Sequence, residues 1–383
     1  MDNIGVIGIG KLGLCFSLSL ERAGYRIVGV DINEAYVKSI NNKTFNSSEA
    51  RVNNRLAASK NFEATTDLDK ALAHSNIVFV IVATPSLVNG RYDHSQIEGL
   101  VDNLMQRGPQ NETKHLVMNC TTMPGYCEEL GKRLEEYNWT VTYNPEFIAQ
   151  GTIIRDQENP DMVLIGEGST EVGDLLEKIY DRMTDNEPRI CRMSPTEAEI
   201  TKISLNCFLT TKIAYTNMIG DIVRKSGGRP QTVLDAIGAD SRVGKKLTRY
   251  GFGYGGPCFP RDNRALEIYA SDINLPAEIS RATDSMNQKH LRFQITDHIT
   301  NHSWDKTVAF SRVSSSRHRD AIWYESVTYK EESTMIEESQ QLRFAELLAR
   351  CGYKVVISDS QTVLDAVGAL YNDLFVYERR GGV

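Results

Sequence analysis

The chain has 383 residues, 41% of them hydrophobic and 24% charged, which is typical of a globular protein of two or three domains. No apolar run approaches the roughly 20 residues of a membrane-spanning helix, and the net charge of −7 argues against non-specific nucleic-acid binding. Seven scattered cysteines, without a Cys-x-x-Cys pair or a Cys/His cluster, predict neither a disulfide framework nor a metal site. Because the first residues lack signal-peptide features, we expect a cytoplasmic location.

The N-terminal segment predicts a dinucleotide-binding site. An apolar strand from Ile4 to Ile7 is followed by Gly8-x-Gly10-x-x-Gly13, a helical pattern and a second strand that ends at Asp31. Gly8 suits a tight turn, Gly10 lets the backbone approach a pyrophosphate, and Gly13 allows close packing of helix on strand. Asp31 would accept hydrogen bonds from the adenosine ribose and would repel the extra phosphate of NADP, so the expected cofactor is NAD. A glycine-rich turn without a ligand is the alternative.

Four further apolar runs predict a parallel sheet with both faces covered. They extend from Ile77 to Ala83, His115 to Asn119, Thr140 to Tyr143 and Met162 to Ile165. Ligands of such sheets bind beyond the carboxyl ends of the strands, where this sequence has Thr84-Pro85, Cys120-Thr121 and Asn144-Pro145-Glu146. Any one of these could be an ordinary loop, but three successive polar strand ends favour a site.

A long central helix is predicted to begin at Ser194-Pro195-Thr196-Glu197, which has the form of a capping box. The helix should extend past Asn217. Lys202 and Asn206 are four residues apart and therefore share one face, with Glu199 one turn before them. Considered alone, this pattern is also typical of a solvated charged stripe.

The segment from Arg249 to Asp262 predicts a rigid loop around a cysteine. Four glycines and two prolines surround Cys258, and Asp262 lies four residues beyond the thiol. A free cysteine is most often a small buried hydrophobic residue. Few cores surround a cysteine with so much glycine, so the loop favours a reactive thiol.

The C-terminal part repeats a pattern of the first domain. The segment from Leu348 to Asp359 echoes that from Leu20 to Asp31, and both read as helix, turn, strand and terminal aspartate. A second, smaller Rossmann-like domain is expected, although the echo could reflect shared α/β architecture alone. No G-x-G-x-x-G precedes it, and residues 311–326 read as an insertion or a diverged loop.

Several motifs together resemble the UDP-glucose/GDP-mannose dehydrogenase family, in the family's order over residues 1 to about 290. They are Gly8-x-Gly10-x-x-Gly13 with Asp31, Thr84-Pro85, Cys120-Thr121-Thr122-Met123-Pro124-Gly125, Asn144-Pro145-Glu146-Phe147, Lys202-x-x-x-Asn206, Asp240-Ser241-Arg242-Val243-Gly244 and Gly255-Gly256-Pro257-Cys258-Phe259-Pro260-Arg261-Asp262. The resemblance implies an α/β fold with an N-terminal Rossmann NAD-binding domain (1–193), a long central helix in a helical dimerisation domain (194–295) and a smaller C-terminal Rossmann-like domain that binds the nucleotide sugar (296–383).

The resemblance also implies the reaction, a four-electron oxidation of a nucleotide-sugar C6 alcohol to the acid with two NAD. A Cys258 thiolate would form a thiohemiacetal and then a thioester. Lys202 and Asn206 would hold the oxyanion, and Glu146 would act as general base through water together with Asp262 and Thr121. UDP-glucose is the leading substrate, from the form of the 251–256 loop, while GDP-mannose and N-acetylated UDP-hexosamines stay open.

Further contact residues follow from the same resemblance. Arg242 is expected to reach the active site of a neighbouring subunit, so the partners are a nucleotide sugar and at least one further copy of the chain, without nucleic acid or membrane. Cofactor contacts are implied for Gly8, Gly10, Lys11, Leu12, Gly13, Asp31, Thr84, Pro85, Thr121, Glu146 and Arg261. Substrate contacts are implied for Phe147, Ile148, Lys202, Asn206, Arg242, Tyr250, Gly255 and Lys330.

The sequence departs from the family pattern in a few places. Gln150 and Arg261 stand where many relatives have glutamate and lysine, and Glu337-Glu338 is acidic where many place an arginine. The chain also ends sooner after Asp359 than is usual, so a shortened C-terminal domain is expected. Two alternatives stay open, a two-electron β-hydroxyacid dehydrogenase and a non-catalytic binding protein.

Overall fold

The computed structural model describes residues 2–312, 320–330 and 333–379, and it divides into two compact units, Met1–Lys202 and Ile203–Val383. The predicted α/β class is confirmed, with a large sheet, a long central helix and a smaller second sheet. The expected bounds of the three domains stay predictions. Across the described ranges, no helix has the length and apolarity needed to cross a bilayer.

The first unit is built on an eight-stranded sheet of order β3-β2-β1-β4-β5-β6-β7-β8. Its strands are β1 (Asn3–Ile7), β2 (Arg26–Val30), β3 (Phe62–Thr65), β4 (Ile77–Val80), β5 (Lys114–Met118), β6 (Trp139–Tyr143), β7 (Met162–Gly166) and β8 (Arg189–Met193). Its helices are α1 (Lys11–Arg22), α2 (Glu34–Asn41), α3 (Val52–Ala58), α4 (Leu68–His74), α5 (Ser95–Gln106), α6 (Tyr126–Leu134), α7 (Ile153–Glu158) and α8 (Thr170–Met183).

All six predicted strands are present, but the sheet differs from the prediction in three respects. The run from Ile77 is a strand only to Val80, and the edge strands β3 and β8 were not predicted. Both edge strands are largely half-exposed, so they lack the continuous apolar run of a buried strand. The sheet is parallel except at one junction, where Tyr143 of β6 pairs with Gly166 of β7 in antiparallel fashion.

The core of this unit covers both faces of the sheet. Alternate side chains of a strand point to opposite faces, so Ile4 and Val6 join one buried cluster while Ile7 joins the other. The carboxyl ends of β1 and β4, adjacent in the sheet but not in the chain, are therefore held at one rigid edge. This is the position at which parallel sheets bind ligands.

The central helix α9 (Pro195–Lys225) has the predicted capping box. The Ser194 amide donates to Glu197 Oε2 at 2.9 Å, and the Glu197 amide donates to Ser194 Oγ at 3.3 Å. Proline at the first helical position costs no hydrogen bond because that N–H has no helical acceptor. The helix passes Asn217, as the sequence predicts.

The second unit carries a four-stranded parallel sheet of order β10-β9-β11-β12. After α9 come α10 (Pro230–Ala239), α11 (Phe259–Asp272), α12 (Glu278–Asn301), β9 (Val308–Phe310), β10 (Ile322–Tyr324), α13 (Gln340–Arg350), β11 (Val355–Asp359), α14 (Gln361–Tyr371) and β12 (Val376–Arg379). The predicted helix–turn–strand echo is confirmed in α13 and β11. Gly352 has a φ of +93° in the turn, matching the +92° of Gly24 in the first unit.

Residues 311–326 were expected to form an insertion or a loop. Residues 313–319 lie outside the described residues. The loop prediction is wrong for Ile322–Tyr324, which forms β10 and pairs with β9 in parallel. An isoleucine followed by two aromatic residues has the β propensity that this edge position uses.

Candidate active site

The three glycines of the first loop each meet a different steric demand. Gly8 has a φ of +87°, where side chains are strained. A Cβ on Gly13 would lie 2.0 Å from the Gly8 carbonyl oxygen, so only glycine lets α1 pack this closely on the loop. A Cβ on Gly10 would meet nothing within 4 Å. The roles predicted for Gly8 and Gly13 agree with this geometry, and the open space at Gly10 fits an approaching ligand.

The start of α1 is suited to an anion. Its first turn contains no acidic residue, and Gly10, at the N-cap, has no side chain that could bond the first N–H groups of the helix. The first N–H groups of a helix and its dipole favour a negatively charged group such as a pyrophosphate. Lys11 lies here with its Nζ 3.4 Å from the buried Glu49 carboxylate. Leu12 packs against the core.

Asp31 follows β2 at the same edge of the sheet. It is half-buried, and its Oδ1 accepts a hydrogen bond from the Asn33 amide at 3.0 Å. That bond orients the carboxylate and leaves it capacity to accept further hydrogen bonds, since a carboxylate has about four acceptor sites. The geometry is compatible with the predicted ribose contact.

The polar residues after β4 and β5 differ in exposure. Thr84 is buried, Pro85 is exposed and Thr121 is half-buried. The adjacent Cys120 is buried, and burial raises the pKa of its thiol to about 12. Cys120 is therefore a core thiol, whereas Thr121 is partly accessible at the strand end.

A buried amide network, which sequence reasoning missed, fixes the loop after β6. Asn119 Nδ2 donates to the Asn144 carbonyl at 2.7 Å, and Asn144 Nδ2 donates to the Leu164 carbonyl at 2.9 Å. The Tyr180 hydroxyl donates to Asn144 Oδ1 at 2.8 Å. Asn144 thereby links the end of β5, β7 and α8, and it fixes the start of the segment that carries Glu146. The only sequence signal was two asparagines at successive strand ends.

Glu146, Phe147 and Lys202 are brought together in the first unit. Lys202 Nζ donates to the Glu146 carbonyl oxygen at 2.5 Å and lies 4.4 Å from the centre of the Phe147 ring. Burial raises the pKa of Glu146 to about 7, although the Lys202 charge and the Gln157 side chain oppose the shift. A carboxyl with a pKa near neutrality suits a general base. Ile148, next in the chain, packs against the core.

Glu199 shows that the charged pattern on α9 is not a solvated stripe. It is fully buried and accepts hydrogen bonds from Thr122 Oγ1 at 2.7 Å, the Gly125 amide at 2.6 Å and the Cys127 amide at 3.0 Å. These bonds fix the loop after β5 to the helix that carries Lys202. The solvated alternative is wrong at this position.

In the second unit, Asn206, Asp262 and Cys258 form a second group. Asn206 Nδ2 donates to Asp262 Oδ2 at 2.6 Å, and Asp262 is buried. Cys258 is exposed and occupies the N-cap position of α11, with its carbonyl accepting the Asp262 amide at 2.9 Å. A helix N-terminus stabilises a thiolate. The thiol is therefore accessible at a helix N-terminus and is not a core residue, while its role as the nucleophile stays a prediction.

The glycines before Cys258 pack against this unit's own chain. A Cβ on Gly253 would lie 2.1 Å from Asn287 Oδ1, and one on Gly255 would lie 2.4 Å from the Glu338 carbonyl oxygen. Gly256 has a φ of +83° and faces the Tyr329 ring. The loop is thus closely packed, as predicted, and its close approaches are to protein groups. The contact predicted between Gly255 and a substrate stays a prediction.

Three residues that sequence reasoning missed hold the backbone of this loop. Asn287 bonds both the amide and the carbonyl of Tyr254, at 3.1 and 2.9 Å. Asn217 accepts the Gly251 amide at 3.2 Å, and His290 Nε2 lies 2.7 Å from the Gly251 carbonyl oxygen. Buried polar residues on α9 and α12 would have been recognisable only with the tertiary contacts known.

The remaining predicted site residues have contacts of their own. Arg242 is exposed and bonds Asp240 through Nε and Nη2 at 3.0 and 2.8 Å. The Tyr250 hydroxyl donates to Asp221 at 2.8 Å. Arg261 Nε lies 3.6 Å from Asp262 Oδ1, and Lys330 Nζ lies 5.9 Å from the Tyr329 ring centre. Their expected roles toward cofactor and substrate stay predictions.

The sequence matches two domains of the UDP-glucose/GDP-mannose dehydrogenase family, the NAD binding domain over residues 2–184 and the central domain over residues 196–289. It is 29% identical over 370 residues to a UDP-glucose 6-dehydrogenase of Pseudomonas aeruginosa, covering 92% of this chain and 78% of that protein. It is also 29% identical over 374 residues to a GDP-mannose 6-dehydrogenase of the same organism, covering 93% and 80%.

Solved structures give the same picture of the fold. A UDP-glucose dehydrogenase from Pyrobaculum islandicum superposes with a TM-score of 0.85 at 24% identity, over 98% of this chain and 86% of that chain. A ternary complex of GDP-mannose dehydrogenase from Pseudomonas aeruginosa gives 0.59 at 28% identity, over 96% and 82%. Relatives of both substrate types are therefore present.

Proposed function

Because this chain belongs to the UDP-glucose/GDP-mannose dehydrogenase family of NAD-dependent nucleotide-sugar 6-dehydrogenases, we propose that it oxidises UDP-glucose to UDP-glucuronate in two successive two-electron steps. The observation that carries the proposal is the exposed Cys258 at the N-cap of α11, one turn before an Asp262 carboxylate that Asn206 holds. A two-electron dehydrogenase has no need of such a thiol.

The residues of the first unit fit the cofactor. Gly10 leaves space at the uncapped start of α1, and Asp31 retains acceptor capacity one strand away. NAD, when bound, accepts the hydride in each oxidation. We assign its pyrophosphate to the N-terminus of α1 and its ribose to Asp31, with Lys11, Thr84, Pro85, Thr121 and Arg261 as further contacts that the family resemblance supports.

The first oxidation removes a proton from the C6 hydroxyl and a hydride from C6, leaving an aldehyde. The Cys258 thiolate then adds to the aldehyde carbon, forming a carbon–sulfur bond and an oxyanion. Lys202 and Asn206 are assigned to that oxyanion by the family resemblance, and removal of one such donor costs roughly 100- to 1,000-fold in rate. Loss of the second hydride collapses the thiohemiacetal to a thioester.

Hydrolysis completes the reaction. Water adds to the thioester carbon, the carbon–sulfur bond breaks, and the Cys258 thiolate leaves with the acid as product. The base that takes the water proton is assigned to Glu146, with Thr121 and Asp262 assisting. The pKa of Glu146, about 7, supports the assignment, because half of the Glu146 carboxyl groups are then ionised at neutral pH.

The choice of sugar follows from the loop before Cys258 and from the relatives. The form of the 251–256 loop and the UDP-glucose 6-dehydrogenase relative of Pseudomonas aeruginosa favour UDP-glucose. The acidic residues at 337 and 338 change the charge near the expected nucleotide site, but Glu338 is paired with Arg264 in this chain. Lys330 is then the cation assigned to the substrate phosphates. GDP-mannose is the competing substrate.

We further propose that the active form is a homodimer formed through α9. Phe208, Tyr215 and Ile222 are 69%, 53% and 56% exposed and recur every seven residues, so they form one apolar stripe on the helix. Such an exposed apolar stripe favours burial against a second copy. Arg242, whose side chain is exposed, is the residue assigned to the partner's site. Sedimentation analysis of Tyr215→Glu, expected to be monomeric, tests this.

The test of the catalytic proposal is NADH formation with UDP-glucose, GDP-mannose and UDP-N-acetylmannosamine. We expect the highest kcat/KM with UDP-glucose. In Glu146→Gln, hydrolysis should be slow enough for intact-protein mass spectrometry to detect a thioester on Cys258, and Cys351→Ala serves as the control cysteine. Absence of NADH with all three sugars, or full acid formation by Cys258→Ala, would contradict the proposal.

A further inference from the structure

A small cavity lies beside Glu146 within the first unit. Its walls include Glu146, Asp156, Gln157, Met162 and Tyr180. The space open to the centre of a water molecule is about 20 Å³, and one water needs roughly 10–15 Å³. The cavity is therefore large enough for a single water and too small for a sugar or a nucleotide.

Two buried polar atoms at this cavity have no hydrogen-bond partner among the described residues. They are Glu146 Oε1 and Gln157 Nε2, and Gln157 is only 2% exposed. One is an acceptor and the other a donor. Buried polar groups are nearly always hydrogen-bonded to protein or to ordered water, so this pair calls for a bridging molecule that can both accept and donate.

The orientation of the Gln157 amide supports the same conclusion. Ser19 Oγ donates to Gln157 Oε1 at 3.4 Å, which leaves Nε2 on the opposite side of the amide. The reverse orientation would direct Oε1 toward the Glu146 carboxylate, and two acceptors would then face each other. A donor beside an ionised carboxylate is the favourable arrangement.

The other polar groups of the cavity wall are already bonded. The Tyr180 hydroxyl donates to Asn144 Oδ1 at 2.8 Å. Asp156 Oδ2 accepts the Ala149 amide at 2.9 Å and Thr152 Oγ1 at 2.8 Å. Glu146 Oε1 and Gln157 Nε2 are thus left for the cavity.

We infer that this cavity binds one water molecule, which accepts a hydrogen bond from Gln157 Nε2 and donates one to Glu146 Oε1, and that Gln157 is a positioning residue for Glu146. The water is bound on the α7 side of Glu146 and belongs to the protein in the absence of substrate. Gln157 acts on Glu146 both through its own side-chain amide and through this water, and it touches neither the sugar nor the cofactor.

The inference rests on the proposed function for its consequence, namely that Gln157 sets how readily Glu146 accepts a proton. The groups that act on Glu146 come from every neighbouring element, with Lys202 on α9, Tyr180 on α8, Cys15 on α1, and Asp156 and Gln157 on α7. Burial raises the pKa of Glu146, and the Lys202 charge and the Gln157 side chain lower it. Loss of the Gln157 donor should therefore favour the protonated, inactive form.

The test compares the wild type with Gln157→Met, which keeps the side-chain length and removes the donor. A crystal structure of the full-length wild type at high resolution should show one water within hydrogen-bond distance of both atoms, and the variant should lack it. The acid limb of the kcat profile should move to higher pH in Gln157→Met. Gln106→Leu, at the exposed end of α5, should leave the limb unchanged.

Two outcomes would overturn the inference, a well-resolved wild-type cavity without water, or a Gln157→Met profile that superposes on the wild type. If Gln157→Met does not fold, Gln157→Glu gives the same test, because a second carboxylate should move the limb further in the same direction. An infrared titration of the Glu146 carboxylate in the full chain needs no substrate. This titration distinguishes failure of the inference from failure of the proposed function. Inactivity toward every nucleotide sugar would contradict the proposed function, whereas the presence of the water and the titration of Glu146 would still test the inference.

Discussion

The segments that end at Asp31 and at Asp359 have the same helix–turn–strand structure, yet their aspartates differ in what they contact. Asp31 is half-buried, and its Oδ1 accepts a hydrogen bond from the Asn33 amide. Asp359 is 3% exposed and accepts Ser326 Oγ at 2.5 Å and the Ser360 amide at 2.8 Å. A shared motif therefore predicts the local backbone, whereas the side-chain partners decide whether the terminal carboxylate can bind a ligand.

The largest effect is expected at Gly13 of the first unit, where the close approach of α1 leaves no room for a side chain. Gly13→Ala should destabilise the protein by about 1–3 kcal/mol and abolish NAD binding, because its Cβ would lie 2.0 Å from the Gly8 carbonyl oxygen. Thermal unfolding and NAD titration measure the two effects. Gly10→Ala is the matched control, with a stability change of at most about 1 kcal/mol and weakened NAD binding. Wild-type stability in Gly13→Ala would refute the steric account.

An effect on stability alone is expected at the second aspartate. Asp359→Asn weakens a buried hydrogen bond to Ser326 and should lower the free energy of unfolding by about 1–3 kcal/mol. Urea denaturation measures it. Asp31→Asn, the equivalent change in the first unit, should stay within about 0.5 kcal/mol of the wild type. Equal losses in the two variants would show that the aspartates do not differ as described.

The change at Asp31 that leaves stability nearly unaltered should affect cofactor binding. Asp31→Asn should weaken NAD binding by roughly tenfold, the equivalent of about 1.4 kcal/mol for one lost charged hydrogen bond. The preference for NAD over NADP should also decrease, because the substitution removes the negative charge that would repel the extra phosphate of NADP. Calorimetric titration with both dinucleotides decides this, and unchanged NAD affinity would remove Asp31 from the site.

A third carboxylate at a strand end, Glu146, differs from both aspartates in its protonation. Its pKa is raised by burial to about 7, so the ionised base forms as the pH rises through 7. Acid formation should fall about tenfold for each pH unit below that value. Rate measurements from pH 5 to 9 should show this limb, and Glu146→Gln should lack it. A pH-independent wild-type rate over that range would remove Glu146 as the base.

The sequence predicted the parts of the molecule where backbone geometry and residue type are tightly linked. The glycines of the first loop, the capping box of α9 and the turn at Gly352 are such cases. The sequence also predicted that Cys258 is not a core residue, because a loop so rich in glycine fits a core poorly, and the thiol is indeed exposed.

The features that were missed depend on contacts between distant residues. The edge strands β3 and β8 lack an apolar run, and β10 follows a polar segment. Gln157 and Glu158 are 2% and 1% exposed although glutamine and glutamate are mostly found at the surface. Their burial follows from α7 packing against α1, which no local pattern encodes.

The number of NADH formed per nucleotide sugar consumed decides whether the chain carries out a four-electron oxidation. With limiting UDP-glucose, the wild type should form two NADH and one UDP-glucuronate for each molecule consumed, and Cys258→Ala should form no acid. One NADH per sugar, with a Cys258→Ala variant as active as the wild type, would contradict a four-electron oxidation.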